Sequence, residues 1–157
     1  MTTITARLSP IVGPRDLDAI TQLHTAAASH FAYDASRLER QWTVLSGDDD
    51  HVQVWAIAWP PGSSTGWHDH GTADGAFRVV QGTLREHVWI GYDAASDLPV
   101  GRGRHFTDSH VHDVRNETSQ WAVSVHAYHP VLQSMTRYEV RDGQLVISGR
   151  DQEGSAW

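Results

Sequence analysis

The chain contains no cysteine, and this absence excludes several kinds of chemistry. Without a thiol the protein forms no disulfide, holds no metal through thiolate ligands and uses no catalytic cysteine. No apolar run approaches the roughly 20 residues that cross a bilayer, so we expect no membrane segment. Basic runs are also missing and the formal net charge is −7 at pH 7, which argues against a nucleic-acid partner.

The start of the chain lacks a basic stretch followed by an apolar one. We therefore expect no signal peptide and a cytoplasmic location. With 157 residues, a single domain spanning residues 1–157 is expected. The oligomeric state is open, with a monomer as the working expectation. Eleven histidines and seven tryptophans are the unusual features, and the histidines are a mild indication of metal chemistry.

The N-terminal part is expected to be helical over residues 1–45. Pro14 suits a first helical turn, acidic residues follow it, and apolar residues recur at helical spacing, which predicts a helix over residues 14–31. A second short helix is expected over residues 35–42. The remainder, residues 50–149, is expected to form a β-barrel.

Alternating apolar residues and turn signals predict strands through most of the chain. The strands are expected at residues 52–59, 76–80, 84–90 and 121–128, with a hairpin of 137–140 and 145–148 around Asp142-Gly143. The strand at 52–59 is expected to be covered on both faces. Residues 91–103 are expected to form a loop and residues 149–157 a tail. The pattern indicates an all-β fold, a small barrel or double-sheet sandwich of the jelly-roll type.

Two histidines follow a Pro-Gly turn with one residue between them. On a strand, His68 and His70 point to the same face, so both reach one metal ion from one direction. A third ligand is available in the later run that contains His110 and His112. Imidazole suits Fe, Zn, Cu or Ni, and the residues alone leave the metal open.

The two histidine runs resemble the two halves of the cupin signature. Five residues separate Gly62 from His68, and three separate His112 from Asn116, which favours His112 over His110 as the third ligand. Many cupins add a carboxylate ligand, but alignment on the glycine at position 82 puts Gly75 in that place. We expect three histidines and no carboxylate, with Asp74 as a substitute if the register shifts.

Ser124, His126 and Tyr128 alternate along one predicted strand. If they face the interior, they must satisfy one another, and a Ser–His–Tyr hydrogen-bond relay would do so. The alternative is that they form the polar outer face of an edge strand.

At this point residues 36–141 resemble the cysteine dioxygenase family of thiol dioxygenases. The motifs that carry the resemblance are Trp-Pro-Pro-Gly at 59–62, His68-Asp-His70-Gly, Gln81-Gly82, His112-x3-Asn116, Ser124-x-His126-x-Tyr128 and Ser-Met-Thr-Arg-Tyr at 134–138. The resemblance implies a cupin jelly-roll barrel with N-terminal helices. It also implies Fe(II) on His68, His70 and His112, with Ser124, His126 and Tyr128 as an outer relay of catalytic residues.

The same resemblance implies the substrates. A small thiol, with L-cysteine as the first candidate, would be oxidised by O2 to its sulfinic acid. The family grips the substrate carboxylate with an arginine before the first motif; Arg40 is the candidate here and Arg37 its rival. A cysteine that some members link to the tyrosine falls on Gly75, so Tyr128 is expected to be a free phenol.

Three alternatives stay open from the sequence. The thiol could be 3-mercaptopropionate or another small thiol. The protein could be a different metal-dependent cupin, an isomerase or a dioxygenase acting on carbon. It could also be a non-catalytic sensor, although no DNA-binding segment accompanies the barrel.

Overall fold

The computed structural model describes residues 14–46 and 51–152, which form two helices followed by ten strands. The elements are α1 (Pro14–Leu23), α2 (Thr25–Ser29), β1 (Gln41–Ser46), β2 (Gln53–Trp59), β3 (Asp74–Gln81), β4 (Thr83–Trp89), β5 (Asp93–Pro99), β6 (Gly103–Phe106), β7 (His112–Arg115), β8 (Ala122–His129), β9 (Ser134–Arg141) and β10 (Gln144–Gln152). The all-β fold with N-terminal helices is confirmed.

The strands form two layers. One layer is a five-stranded sheet in the order β1-β2-β8-β3-β6. The other contains the three strands β5-β4-β7 and the hairpin β9-β10. The segment between β2 and β3 lies between β7 and β9 and connects these two parts. In that segment His68 is bridged to His112 of β7 on one side and to Arg137 of β9 on the other. The segment that carries the first histidine motif therefore lies inside the second layer.

Two apolar clusters hold these layers together. The larger cluster lies between the sheets and includes Trp55, Trp59 and Phe77. The second includes Val54 of β2 and Leu17 of α1, so the helices cover the outer face of the five-stranded sheet. Strand β2 is buried on both faces, as predicted, because its alternate residues belong to different clusters.

Two predictions of local structure are wrong. Residues 35–42 contain turns and bends and no helix, and β1 begins at Gln41. Trp42 of β1 packs on Trp55 of β2 with ring centroids 5.5 Å apart, so pairing between strands overrides the local preference. Residues 91–103 are not a loop, because β5 pairs along its whole length with β4. Its exposed residues include Asp93, Asp97 and Pro99, and charged residues and proline are common on edge strands.

The ends of the predicted elements also shift. The helix predicted over residues 14–31 is divided at His24 into α1 and α2. The predicted tail begins inside β10, which continues to Gln152; residues 153–157, like residues 1–13, lie outside the described residues. Among the described residues, no helix is long and apolar enough to cross a membrane. The cytoplasmic location and the monomeric state stay predictions.

Candidate metal centre

The pairing of two strand segments brings the candidate ligands His68 and His112 together. The backbone N–H of His68 donates to the carbonyl of His112 at 2.9 Å, and the N–H of His112 donates back at 3.0 Å. Directly paired residues of antiparallel strands place their side chains on the same side. The two ring centroids are accordingly 4.7 Å apart.

His70 completes a triangle of rings. Its ring centroid is 4.8 Å from that of His68 and 5.0 Å from that of His112. One ring nitrogen of each residue lies within 4.8 Å of the corresponding nitrogens of the other two. All three side chains are buried. The structure thus assembles the three histidines that the spacing predicts, as a group able to hold one metal ion.

The hydrogen bonds of the rings indicate which nitrogens face an ion. Nδ1 of His68 donates to the carbonyl of Gly66 at 2.8 Å, and Nδ1 of His112 donates to the carboxylate of Glu86 at 2.8 Å. Because these oxygens only accept, Nε2 of both rings carries the lone pair. Both ring nitrogens of His70 are buried without a hydrogen-bond partner. An unsatisfied buried polar atom costs about 1–3 kcal/mol, and an ion between the rings would relieve that cost.

The protonation states also suit a metal. Burial lowers the pKa of His68 and of His70 well below the ordinary value, and the neighbouring rings lower both further. Burial also lowers the pKa of His112, although the carboxylate of Glu86 opposes this effect. The neutral imidazole is the form that binds metal ions. The three residues therefore fit a divalent metal by position, lone pairs and charge.

No carboxylate joins the three histidines among the described residues. Asp74 lies at the start of β3, opposite His129, and is not part of the group. A Cβ atom at Gly75 would collide with the ring of Phe106 and lie 3.2 Å from Cδ1 of Tyr128. The Phe106 ring stacks on His70 with centroids 4.5 Å apart. An aromatic ring therefore fills the space beside Gly75.

The Ser–His–Tyr residues face the interior. Their strand, β8, lies between β2 and β3 in the five-stranded sheet, so the alternative of an exposed edge strand is wrong. Ser124 Oγ is 2.7 Å from Nε2 of His126, and Nδ1 of His126 is 3.3 Å from the hydroxyl of Tyr128. The indole N–H of Trp59 donates to Ser124 Oγ at 2.8 Å. The relay is therefore a chain of four side chains.

Burial keeps the two titratable members of the relay neutral. Burial, together with the nearby His112 and Arg40, lowers the pKa of His126 to about 3. Burial also raises the pKa of Tyr128 above its ordinary value. At neutral pH the imidazole carries one proton and the phenol keeps its own, so each group is able both to donate and to accept a hydrogen bond.

One cavity connects the histidine cluster with the relay. Its wall is mainly aromatic and aliphatic, with two guanidinium groups. The lining residues are Arg40, Trp42, Trp55, Ile57, Trp59, Thr65, His68, His112, Val114, His126, Tyr128, Leu132, Met135 and Arg137. The cavity wall thus includes two of the three candidate metal ligands, His68 and His112, together with the phenol of Tyr128.

The two arginine candidates have different surroundings. Cζ of Arg40 lies 5.4 Å from the ring centroid of Trp59, and burial and the charge of Arg137 lower the pKa of Arg40. The side chain of Arg37 is 60% exposed and forms an ion pair with Glu39 at 3.7 Å. Of the two, only Arg40 lines the cavity.

Sequence reasoning assigned no role to two charged residues near the centre. Arg137 lines the cavity and donates to Asp151 at 2.6 Å and to the carbonyl of Thr65 at 2.9 Å. It belongs to the motif at 134–138, which supported the family resemblance without giving any single residue a role. Glu86 is buried. Hydrogen bonds from the neighbouring histidines outweigh the effect of burial and lower its pKa to about 2. Its position on the apolar face of an alternating strand was the available signal.

Solved structures show the same fold at low sequence identity. An oxalate oxidase matches with a TM-score of 0.56 and 15% identity over 68% of this chain and 59% of that chain. A Klebsiella pneumoniae protein with a double-stranded β-helix domain matches with a TM-score of 0.53 and 14% identity over 75% of this chain and 96% of that chain. The cupin domain of Schizosaccharomyces pombe Cnp3 matches with a TM-score of 0.53 and 10% identity over 63% and 68%. The predicted cupin barrel is confirmed.

The matches to solved structures cover only part of some of those proteins. The chain spans 56% and 59% of the lengths of two oxalate oxidase structures that it matches. The likeness therefore describes the barrel. A family model covers more of this chain: the model of cysteine dioxygenase type I matches residues 17–141, which include the three histidines, the relay and Arg40. The chain belongs to the cysteine dioxygenase type I family.

Proposed function

We propose that the protein is an Fe(II)-dependent thiol dioxygenase that converts a small thiol and O2 to a sulfinic acid, with L-cysteine as the first candidate substrate. The reaction balances as R–SH plus O2 giving R–SO2H. Both oxygen atoms end on sulfur, which loses four electrons while dioxygen gains four. The observation that supports this proposal most directly is the group of three buried, neutral histidines beside a Ser–His–Tyr relay, with members of both groups lining one cavity.

The ligand set supports a metal, and iron is part of the proposal. His68, His70 and His112 would hold the ion through ring nitrogens. Three imidazoles also suit Zn, Ni or Cu, so iron rests on the family and on the reaction. A ferrous ion bound there would supply the redox chemistry, because it acidifies a thiol and activates dioxygen.

The arginine would position the other end of the substrate. A guanidinium binds a carboxylate through two parallel hydrogen bonds, which fixes orientation as well as distance. The contact between Arg40 and the Trp59 ring would limit how far the guanidinium moves. Holding the thiol at one end and the carboxylate at the other gives the proximity that bimolecular chemistry otherwise lacks.

The relay would present a proton donor to the reacting atoms. One arrangement satisfies every member: Trp59 donates to Ser124, Ser124 donates to Nε2 of His126, and Nδ1–H of His126 donates to the oxygen of Tyr128. The phenolic hydrogen is then free to point into the cavity. Tyr128 would donate it to the substrate carboxylate or to an oxygen atom, and the buried relay would hold the phenol in place.

The cavity also gives a reason to test a second thiol. Among the described residues that line it, none is Asp or Glu, whereas two are arginines. The ammonium group of L-cysteine would find no carboxylate partner there. A thiol with a carboxylate and no amine, such as 3-mercaptopropionate, is therefore the second candidate. The isomerase and carbon-oxidising alternatives are less well supported, because they use neither the relay nor the family match.

The test is oxygen uptake by the protein loaded anaerobically with Fe(II). The substrates are L-cysteine, 3-mercaptopropionate, cysteamine (which lacks a carboxylate) and L-serine (which lacks sulfur). We expect one O2 consumed per thiol and a sulfinate product with at least one carboxylate-bearing thiol, and none with L-serine. Formation of only the disulfide, or no uptake with any thiol, would contradict the proposed function.

Two variants test the arginine. Arg40→Gln should raise KM for carboxylate-bearing thiols by about 10–100-fold, because a charge-assisted pair contributes roughly 1.5–3 kcal/mol. It should leave KM for cysteamine nearly unchanged. Arg37→Gln is the matched control and should leave KM unchanged for all three thiols. Equal effects of the two variants would remove the assignment of Arg40.

A further inference from the structure

A fully buried carboxylate lies directly behind one of the three candidate metal ligands. Strand β4 pairs with β7 so that Val88 is opposite His112 and Glu86 is opposite Val114. Glu86 and His112 are therefore diagonal neighbours on adjacent strands, close enough for side chains to meet. The side chain of Glu86 has no solvent exposure, and the relay and the cavity make no use of it.

Every partner of this carboxylate is a hydrogen-bond donor. Oε1 of Glu86 accepts from Nδ1 of His112 at 2.8 Å and from Nε2 of His110 at 3.1 Å. Oε2 accepts from Nε of Arg104 at 3.0 Å. Arg104 in turn donates to Ser96 at 2.8 Å, so β5 anchors the network. A carboxylate held on both oxygens has a fixed position, and so does the ring that it grips.

We propose that Glu86 is a positioning residue for the metal centre. Its carboxylate keeps His112 in the form with a proton on Nδ1, directs Nε2 at the ion, and places a negative charge behind the ligand that strengthens the binding of a divalent cation. This inference rests on the proposed metal centre, and it identifies the residue that makes His112 differ from His68. The Nδ1 of His68 is held by a neutral carbonyl, whereas that of His112 is held by a carboxylate.

The same atoms allow a different interpretation that the test must distinguish. Glu86, His110 and His112 each offer a ligand atom within 4.8 Å of the others, so they could hold a second ion that shares the His112 ring. A second ion would replace the hydrogens that His110 and His112 donate to Glu86. Counting the ions bound per chain separates the two possibilities.

The experiment compares Co(II) binding by the wild-type chain and the Glu86→Gln variant under anaerobic conditions. Glutamine keeps the shape and an accepting oxygen but removes the charge. Residues that hold a metal ligand from behind typically matter 10–100-fold for metal affinity. We expect one Co(II) per chain in both proteins, an affinity about 10–100-fold weaker in the variant, and a shifted visible absorption band because one ligand has changed its donor strength.

Glu117→Gln is the matched control. Glu117 is half-exposed and pairs with Arg85, Arg115 and His87, so its loss removes a carboxylate without touching a candidate ligand. Its affinity for Co(II) should stay within about twofold of the wild type. Unfolding by urea without metal, measured on both variants, separates a loss of affinity from a loss of the fold.

Several outcomes would overturn the proposal. Equal Co(II) affinity in the wild type and Glu86→Gln would show that the carboxylate does not act on the ion, while the proposed function would stand. Two ions in the wild type, one of them lost in His110→Ala, would assign the group to a second site. Should Glu86→Gln not fold, nitrogen NMR of the wild-type histidines decides, because a proton on Nε2 of His112 in the metal-free protein contradicts the proposed role. A wild type that binds no Co(II) would remove the metal centre itself.

Discussion

Acidification from about pH 7 to about pH 5 is expected to destabilise the metal-free protein, because its buried histidines are neutral in the folded state. Burial lowers the pKa of His126 to about 3 and also lowers the pKa of His68, His70 and His112. In the unfolded chain each ring titrates near the ordinary value of about 6.5. Below that pH the unfolded state binds more protons, so stability that is complete at higher pH is lost as the pH falls.

The size of the effect follows from the shift in the pKa of His126. With a pKa of about 6.5 unfolded and about 3 folded, His126 stabilises the fold by about 1.4 kcal/mol less for each pH unit below about pH 6.5, or about 2 kcal/mol less by pH 5. Burial also lowers the pKa of His68, His70 and His112, so these rings add to the loss in the same direction. The share of His126 alone, about 2 kcal/mol, is already a large part of the stability of many domains, about 5–15 kcal/mol.

The buried carboxylate of Glu86 does not change the stability between pH 7 and pH 5. Hydrogen bonds from the neighbouring histidines outweigh burial and lower the pKa of Glu86 from 4.5 to about 2. Its contribution to stability is therefore present above pH 4.5 and is lost only as the pH falls below that value. Between pH 7 and pH 5 the histidines alone of these groups change the balance.

Urea unfolding of the chelator-treated protein at pH 7, 6 and 5 measures the effect. We expect the free energy of unfolding to fall by about 2 kcal/mol or more between pH 7 and pH 5. The variant His126→Gln should be less stable at pH 7, and at pH 5 it should take up about one proton fewer on unfolding than the wild type. A change below about 1 kcal/mol in the wild type would refute the reasoning, and an unchanged proton uptake in the variant would refute the share assigned to His126.

Three further substitutions test the site. His112→Ala should abolish stoichiometric Fe(II) binding and oxygen uptake while the chain stays folded, as judged by anaerobic titration and circular dichroism; full loading would remove His112 from the centre. Tyr128→Phe should keep the iron but lower kcat by about 10–100-fold, because the phenolic proton is lost; unchanged turnover and coupling would exclude the relay from the reaction. Gly75→Ala should lower the free energy of unfolding by about 1–3 kcal/mol, because the new methyl meets the Phe106 ring; thermal unfolding measures this, and Phe106→Leu in the same chain should restore part of the loss.

The candidate site could be predicted largely from short-range spacing. His68 and His70 are separated by one residue, and so are neighbouring members of the Ser–His–Tyr run. On a strand this spacing places the side chains of each group on the same face. The spacing cannot state which strands pair. The meeting of His68 with His112 depends on a register between segments far apart in the chain, whereas the choice of His112 over His110 followed from the three residues between His112 and Asn116.

The residues that sequence reasoning missed depend on distant partners. Glu86 gains its role from a ring 26 positions away, and Arg137 enters the cavity while paired with Asp151 of the next strand. Local propensity failed in a related way. Residues 35–42 have a composition compatible with a helix, but Trp42 reaches Trp55 only when the segment leads into a strand.

Strand β8 has a consequence for how variation in this protein would act. The Ser–His–Tyr relay occupies one of its faces, and the opposite face, with Val125 and Ala127, packs in the cluster that includes Leu17 of the N-terminal helix. Close-packed interiors transmit a change of volume instead of absorbing it. A larger side chain at position 127 would contact neither substrate nor ion. It would instead push β8 from behind and displace the phenol of Tyr128, the next residue in the strand. The helices thus support the sheet behind the cavity, and under the proposed function we expect substitutions on their packed faces to alter the site from a distance.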